Sequence, residues 1–164
     1  MSYFRALIVC LPLVLISGIA SAQSASIAFG TIKGDPSLPV EVTADTLEVN
    51  QIDGSAQFEG NVLVIQGVMR LSADKVLVSY KPEQKGIEQL EAIGNVILVN
   101  GPDAAEAEHA EYSIDSGTVV MTGNVLLSQG NSTLTSTRMV VNLSDGTAQM
   151  SGRVKTILNP DGGN

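Results

Sequence analysis

The chain has 164 residues, 44% of them hydrophobic but only 4% aromatic and none tryptophan, with 9 Lys and Arg against 17 Asp and Glu. That acidic balance and the scarcity of stacking rings exclude a general nucleic-acid binder, which needs a basic face and aromatic platforms. A single cysteine and a single histidine leave no disulfide framework and no thiolate or imidazole set for a metal.

Residues 1–22 read as a cleaved secretory signal peptide. Arg5 and the amino terminus supply a weak positive start, Ala6 to Ile16 form an apolar core, and Ser17-Gly18 breaks it. Ala20-Ser21-Ala22 then has the small-x-small shape of a cleavage site before Gln23. The apolar run is about half of the ~20 residues a bilayer span needs, and it contains Pro12. Cys10 precedes most of that core instead of ending it, which argues against a lipoprotein. Cleavage after Ala22 would remove Cys10, so the exported chain must be held by hydrogen-bonded sheet and apolar burial. The acidity that remains reads first as solubility, and second as complementarity to a basic partner.

Residues 23–37 carry Ser, Ala, Gly and Pro with few patterned apolars and read as a flexible lead-in. From Leu38 onward strand follows strand. Val40, Val42 and Ala44 alternate with Glu41 and Thr43, and Leu47 and Val49 alternate with Glu48 and Asn50. Next comes the first of three copies of one tripeptide: Gly60-Asn61-Val62, Gly94-Asn95-Val96 and Gly123-Asn124-Val125, with a weaker fourth at Gly152-Arg153-Val154. Their steps of 34, 29 and 29 residues point to a stacked, elongated architecture rather than a pocketed enzyme.

Each glycine sits inside an alternating run, where it permits a bulge, tighter twist or close backbone approach. A hairpin turn at Gly-Asn is the alternative. Turn signals recur at Gln66-Gly67, Asn100-Gly101-Pro102, Asp115-Ser116-Gly117, Gln129-Gly130-Asn131 and Asp145-Gly146. Each unit therefore holds two strands of about ten to twelve residues, more than roughly 30 Å long. Asp103 to Glu111 (DAAEAEHAE) has helical propensity, but its neighbours favour a strand entered near His109 and running through Tyr112 and Ile114. Residues 159–164 read as a tail.

Little in the chain points to catalysis. His109 stands alone in an acidic segment and reads as a solvated side chain. Asp45 and Asp74, one repeat apart, read as equivalent turn or surface positions rather than an acid–base pair. No nucleophile elbow, phosphate loop or zinc spacing appears, so no enzyme activity, metal or cofactor is expected. The many inward aliphatic side chains either pack dry or leave room for hydrocarbon, and patterning alone does not choose between them.

Four segments carry a resemblance: Val42-Thr43-Ala44-Asp45-x-Leu47, Phe58-x-Gly60-Asn61-Val62-x-Val64-x-Gln66-Gly67, Leu71-x-Ala73-Asp74-x-Val76-x-Val78 and Thr122-Gly123-Asn124-Val125. In order and spacing they resemble the LptA/OstA-like family of periplasmic lipopolysaccharide transport bridge proteins, over roughly residues 38–158. The resemblance implies an all-β fold, a β-jellyroll of stacked antiparallel strands open at both ends. It implies a non-catalytic periplasmic protein that binds lipopolysaccharide and shields lipid A acyl chains in its interior. It also implies head-to-tail assembly through edge strands, with itself, with an LptC-like inner-membrane protein at one end and with an LptD-like outer-membrane protein at the other.

Carried over by position, the lipid-facing candidates are Val40 and Val42, then Phe58, Val62 and Val64, with Tyr112 and Ile114 on a later strand. Repeat logic adds Val76 and Val78, Val96 and Leu98, and Val125 and Leu127. Arg153-Val154-x-Thr156-x-Leu158 resembles the family's last strand, making Val154, Thr156 and Leu158 the assembly edge. The inward parity near 97–105 stays open between Val96 and Leu98 on one side and Ile97 and Val99 on the other. Glu106 and Glu108 would share a face with Tyr112. A purely structural exported β-repeat with a dry core is the competing reading. An LptC-like chain would keep an N-terminal membrane helix and an LptD-like chain would continue into a barrel, and neither is expected here.

Overall fold

Period-two alternation of β-branched and aliphatic residues produces strands along the whole described chain. The structure is a computed structural model that describes residues 25–30, 34–81 and 86–158. The leader with its cleavage site after Ala22, and the tail 159–164, lie outside the described residues. Two short strands, β1 (Ala25–Ala28) and β2 (Glu41–Thr43), are followed by β3 (Thr46–Val49). Six long strands form the body: β4 (Ala56–Gln66), β5 (Met69–Tyr80), β6 (Ile87–Asn100), β7 (Asp103–Ser113), β8 (Thr118–Gln129) and β9 (Ser132–Asn142). Strands β10 (Thr147–Ser151) and β11 (Lys155–Leu158) end the sheet.

All pairings are antiparallel, in the order β1-β10-β9-β8-β7-β6-β5-β4-β2, with β3 also on β4 and β11 also on β9. One side of the sheet ends in an interrupted strand, β2 and β3 along β4; on the other side β10 and β11 lie along β9, and β1 covers β10 while β11 stays an edge.

The glycine-asparagine pairs are bulges inside strands, not turns. Glu59 faces Lys75 and Val62 faces Ala73, so Gly60 and Asn61 together oppose Asp74 alone. The same irregularity recurs between Ile93 and Val96 and between Thr122 and Val125. Both residues of each pair have positive φ: 78° and 46° at Gly60-Asn61, 78° and 45° at Gly94-Asn95, 81° and 46° at Gly123-Asn124. Glycine visits this left-handed region freely and asparagine tolerates it, which is why this dipeptide marks the site. Gly152-Arg153 repeats the geometry at 77° and 51°.

The bulges decide which side chains point inward. On the opposing strands the inward parity switches, from Leu71 and Ala73 to Val76 and Val78 in β5, and from Ala105 and Ala107 to Ala110 and Tyr112 in β7. Glu106 and Glu108 consequently lie on the exposed outer face and do not share a side with Tyr112. Around residue 97 the inward residues are Val96 and Leu98, both 0% exposed, whereas Ile97 is 39% exposed.

Two further expectations are corrected. Asp103 to Glu111 is strand from its first residue, because β6 and β8 pair it on both sides and Ala105, Ala107 and Ala110 face inward. The lead-in is not unpatterned coil throughout: Ala25–Ala28 pairs with β10, and Phe29 is fully buried. Its partners are supplied by residues about a hundred positions away, which local sequence does not show.

The sheet folds along the line of bulges so that its two halves face each other. Tyr112, near the β7–β8 turn, donates its hydroxyl to Gln66 Oε1, beside the β4–β5 turn at the opposite end of the strands. One apolar cluster takes residues from both halves.

Candidate functional site

The fold builds one continuous apolar interior. Val62, Val64, Val76, Val78, Val96, Leu98, Tyr112, Val125 and Leu127 are fully buried within it. Val40, Val42, Phe58 and Ile114 are partly buried and pack against the same cluster. Leu71 pairs with Val64 on one neighbour and with Leu98 on the other, so the lining runs unbroken across strands.

Sequence reasoning missed two groups of lining residues. Met69, Met121, Met139 and Met150 are all buried, and they are every methionine among the described residues. Ala92, Ala105, Ala107 and Ala110 supply the small positions. Neither type is β-branched, so neither stands out in a strand pattern. Methionine's unbranched, polarizable thioether fills irregular gaps in such an interior, and the alanines keep its lining thin.

The buried polar residues among those described are few: Gln66, Asn100, Asp103 and Ser136. Burial pushes the Tyr112 phenol up to about 12, so it remains a neutral donor to Gln66. Gln66 Nε2 in turn donates to the carbonyls of Pro36 and Leu38 at 3.0 and 2.8 Å.

On the outer face each bulge is clamped by a neighbouring strand. Asn61 Nδ2 donates to Asp45 Oδ2 and Asn95 Nδ2 to Asp74 Oδ2, both at 2.8 Å, and Asn124 donates to Glu108 Oε1. Asp45 and Asp74 are thus equivalent clamp acceptors, with Glu108 as the third. At the fourth bulge Thr137 stands in that place, its amide donating to the Gly152 carbonyl at 3.0 Å as the Asp45 amide does to Gly60 at 2.9 Å. These carboxylates are single acceptors spread along the sheet, which is an arrangement for fixing backbone and not for acid–base chemistry. His109 is not isolated: its Nε2 lies 2.9 Å from Glu91 Oε1 across β6 and β7.

Both ends of the sheet expose apolar side chains on unpaired edges. At one end are Leu47, Val49 and Ile52, the last 97% exposed. At the other, Thr156 and Leu158 lie on β11 with Ile157, and Leu158 is 71% exposed. Val154, expected on that strand, lies just before it, between the Gly152-Arg153 bulge and Lys155.

Residues 41–152 match the family described as LptA/(LptD N-terminal domain) LPS transport protein. The chain belongs to this family. Its LPS-transport relatives include the lipopolysaccharide export system protein LptA of Escherichia coli K12, 30% identical over 121 residues that cover 70% of this chain and 65% of that protein. An uncharacterized protein of Rhizobium meliloti is 29% identical over 157 residues, covering 89% of this chain and 84% of its own length. The LPS-assembly protein LptD of Salmonella typhi is 36% identical over 81 residues, which are 43% of this chain but 10% of LptD.

Among solved structures, LptH, the LptA homologous periplasmic component of the lipopolysaccharide transport device of Pseudomonas aeruginosa, superposes with a TM-score of 0.68. That similarity, at 19% identity over 77% of this chain and 99% of LptH, is one of fold. The all-β jellyroll is therefore the family architecture. The LPS-transport match stops at Gly152, short of β11, and begins after the segment that carries Phe29.

Proposed function

We propose that this chain is a non-catalytic, periplasmic carrier of lipopolysaccharide that bridges inner and outer membranes. The acyl chains of lipid A would lie among the interior candidates, from Val40 and Val42 through Leu127, and their sugars would stay outside. The observation that carries this is the unbroken lining of aliphatic, alanine and methionine side chains, shared by both halves of the sheet. Each acyl methylene kept from water contributes about 0.8 kcal/mol, so ten of them contribute roughly 8 kcal/mol toward parting the lining.

The two exposed edges support end-to-end assembly. An unpaired edge is ordinarily an aggregation hazard, and strand addition turns it into a joint. Edge β2–β3 and edge β11 would join copies head to tail, one end accepting an LptC-like protein and the other an LptD-like one. Export would be directed by the leader, with cleavage after Ala22 releasing the mature chain.

Photo-crosslinking tests the interior. A probe at Ile114, which packs against the cluster, should crosslink to lipopolysaccharide, and a probe at Ser113, of opposite parity, should not. Crosslinks at neither position would favour a dry structural repeat, and equal crosslinks at both would mean that the lipid touches the surface without a site.

A further inference from the structure

The folded sheet has a seam where its two rims meet, and the described residues 25–30 and 34–38 lie along it. On one rim this segment is tied by backbone: β1 pairs with β10, the Phe29 amide donates to the Gly146 carbonyl at 2.9 Å, and the Gly34 amide to the Leu143 carbonyl at 2.7 Å. On the other rim it is held by separate side chains. Gln129 Nε2 donates to the Ala28 carbonyl at 2.7 Å, Asn100 Nδ2 to the Phe29 carbonyl at 3.4 Å, and Gln66 Nε2 to the carbonyls of Pro36 and Leu38. Asp103 Oδ2 also accepts the Gly30 amide at 2.7 Å.

Gln66, Asn100 and Gln129 are one position of the repeat, the sixth residue after each bulge glycine and the last before each turn glycine. Every full repeat therefore offers one carboxamide to the same strap. Phe29 enters the apolar cluster from that strap and is among the largest fully buried side chains. The arrangement is asymmetric: a backbone ladder on one side can act as a hinge, and discrete side-chain bonds on the other can release one by one.

We propose that the described residues 25–30 and 34–38 form a displaceable seam latch. Release from Gln66, Asn100 and Gln129 withdraws Phe29 and opens the interior sideways, so acyl chains enter while a bulky polar headgroup remains outside. This rests on the carrier function proposed above.

The chain contains no tryptophan, so Phe29→Trp gives a sole reporter in the full-length protein. Lipopolysaccharide is added, and retained lipid is measured separately by crosslinking at Ile114. As lipid binds, emission from the introduced indole should move to the red and its quenching by iodide should rise at least twofold. Lipid retained while the indole stays shielded would overturn the latch and leave the carrier function standing. Lipid retained by neither the variant nor the parent chain would overturn both.

A second variant does not depend on the larger ring. Ala28→Cys and Gln129→Cys, in a chain with Cys10→Ser, are bridged by a short bismaleimide. The bridged protein should load lipopolysaccharide at least tenfold more slowly than the same protein unbridged, and equal loading would overturn the latch.

Discussion

Gly94 shows why the repeat has the residues it has. A Cβ there would stand 2.5 Å from Asp74 Oδ2, and the backbone φ is +78°. Gly94→Ala should therefore cost about 2–3 kcal/mol, combining left-handed strain with displacement of the clamp. Gly130→Ala also has positive φ but meets nothing within 4 Å, so it should cost only about 1 kcal/mol. Denaturant unfolding of the two variants checks the difference. Tyr112 makes a second prediction. Its folded pKa lies above the unfolded value, so its stabilisation is complete below about pH 10 and is lost as pH rises toward about 12. Unfolding followed between those pH values should show a loss of roughly 2–3 kcal/mol that Tyr112→Phe removes. The clamp was half legible: Asp45 and Asp74 stood out at equal spacing after alanine. Glu108 did not, because it follows Asp74 by 34 residues and is one methylene longer. The extra residues fall between Asp74 and Gly94, which are 20 apart where Asp45 and Gly60 are 15 apart, and this is also why the first step between glycines is 34.

Among the elements, β7 sets propensity against context. Its alanines favour a helix in isolation, but strands on both sides satisfy its backbone and its small side chains fit the narrow interior. Ala110 pairs with Ala92 on one side and Met121 on the other, and all three are 0% exposed. Ala110→Leu should destabilise the sheet by about 1–3 kcal/mol through overpacking and lower the lipid retained per protein. Thermal unfolding and lipid co-purification check the two effects. The long strands were legible because each carries its own alternation. Strand β1 was not: Ala-Ser-Ile-Ala is too short and too weakly apolar to stand out, and its stabilising partners come from Gln129 and β10.

At the scale of the whole molecule, the meander was legible because consecutive strands pair in sequence order. How the rims close was not, since Gln66 meets Tyr112 across 46 residues and Gln129 meets Ala28 across 101. The edges carry the remaining prediction. Ending the chain before Arg153 removes β11 but leaves β4 to β10 intact, so the variant should stay folded and lack the end-to-end assembly proposed above. Oligomers of unchanged size in light scattering at equal concentration would count against assembly through that edge.

The outer clamps give the molecule a ruler. Each 29-residue unit adds two strands, about 10 Å along the stack, together with its own bulge, its own acceptor and its own stretch of lining. Inserting or deleting a whole unit would change the span between the ends in steps of that size while leaving both terminal edges, and whatever they pair with, as they were. The length of the stack is thus set by counting copies, independently of the surfaces at its two ends.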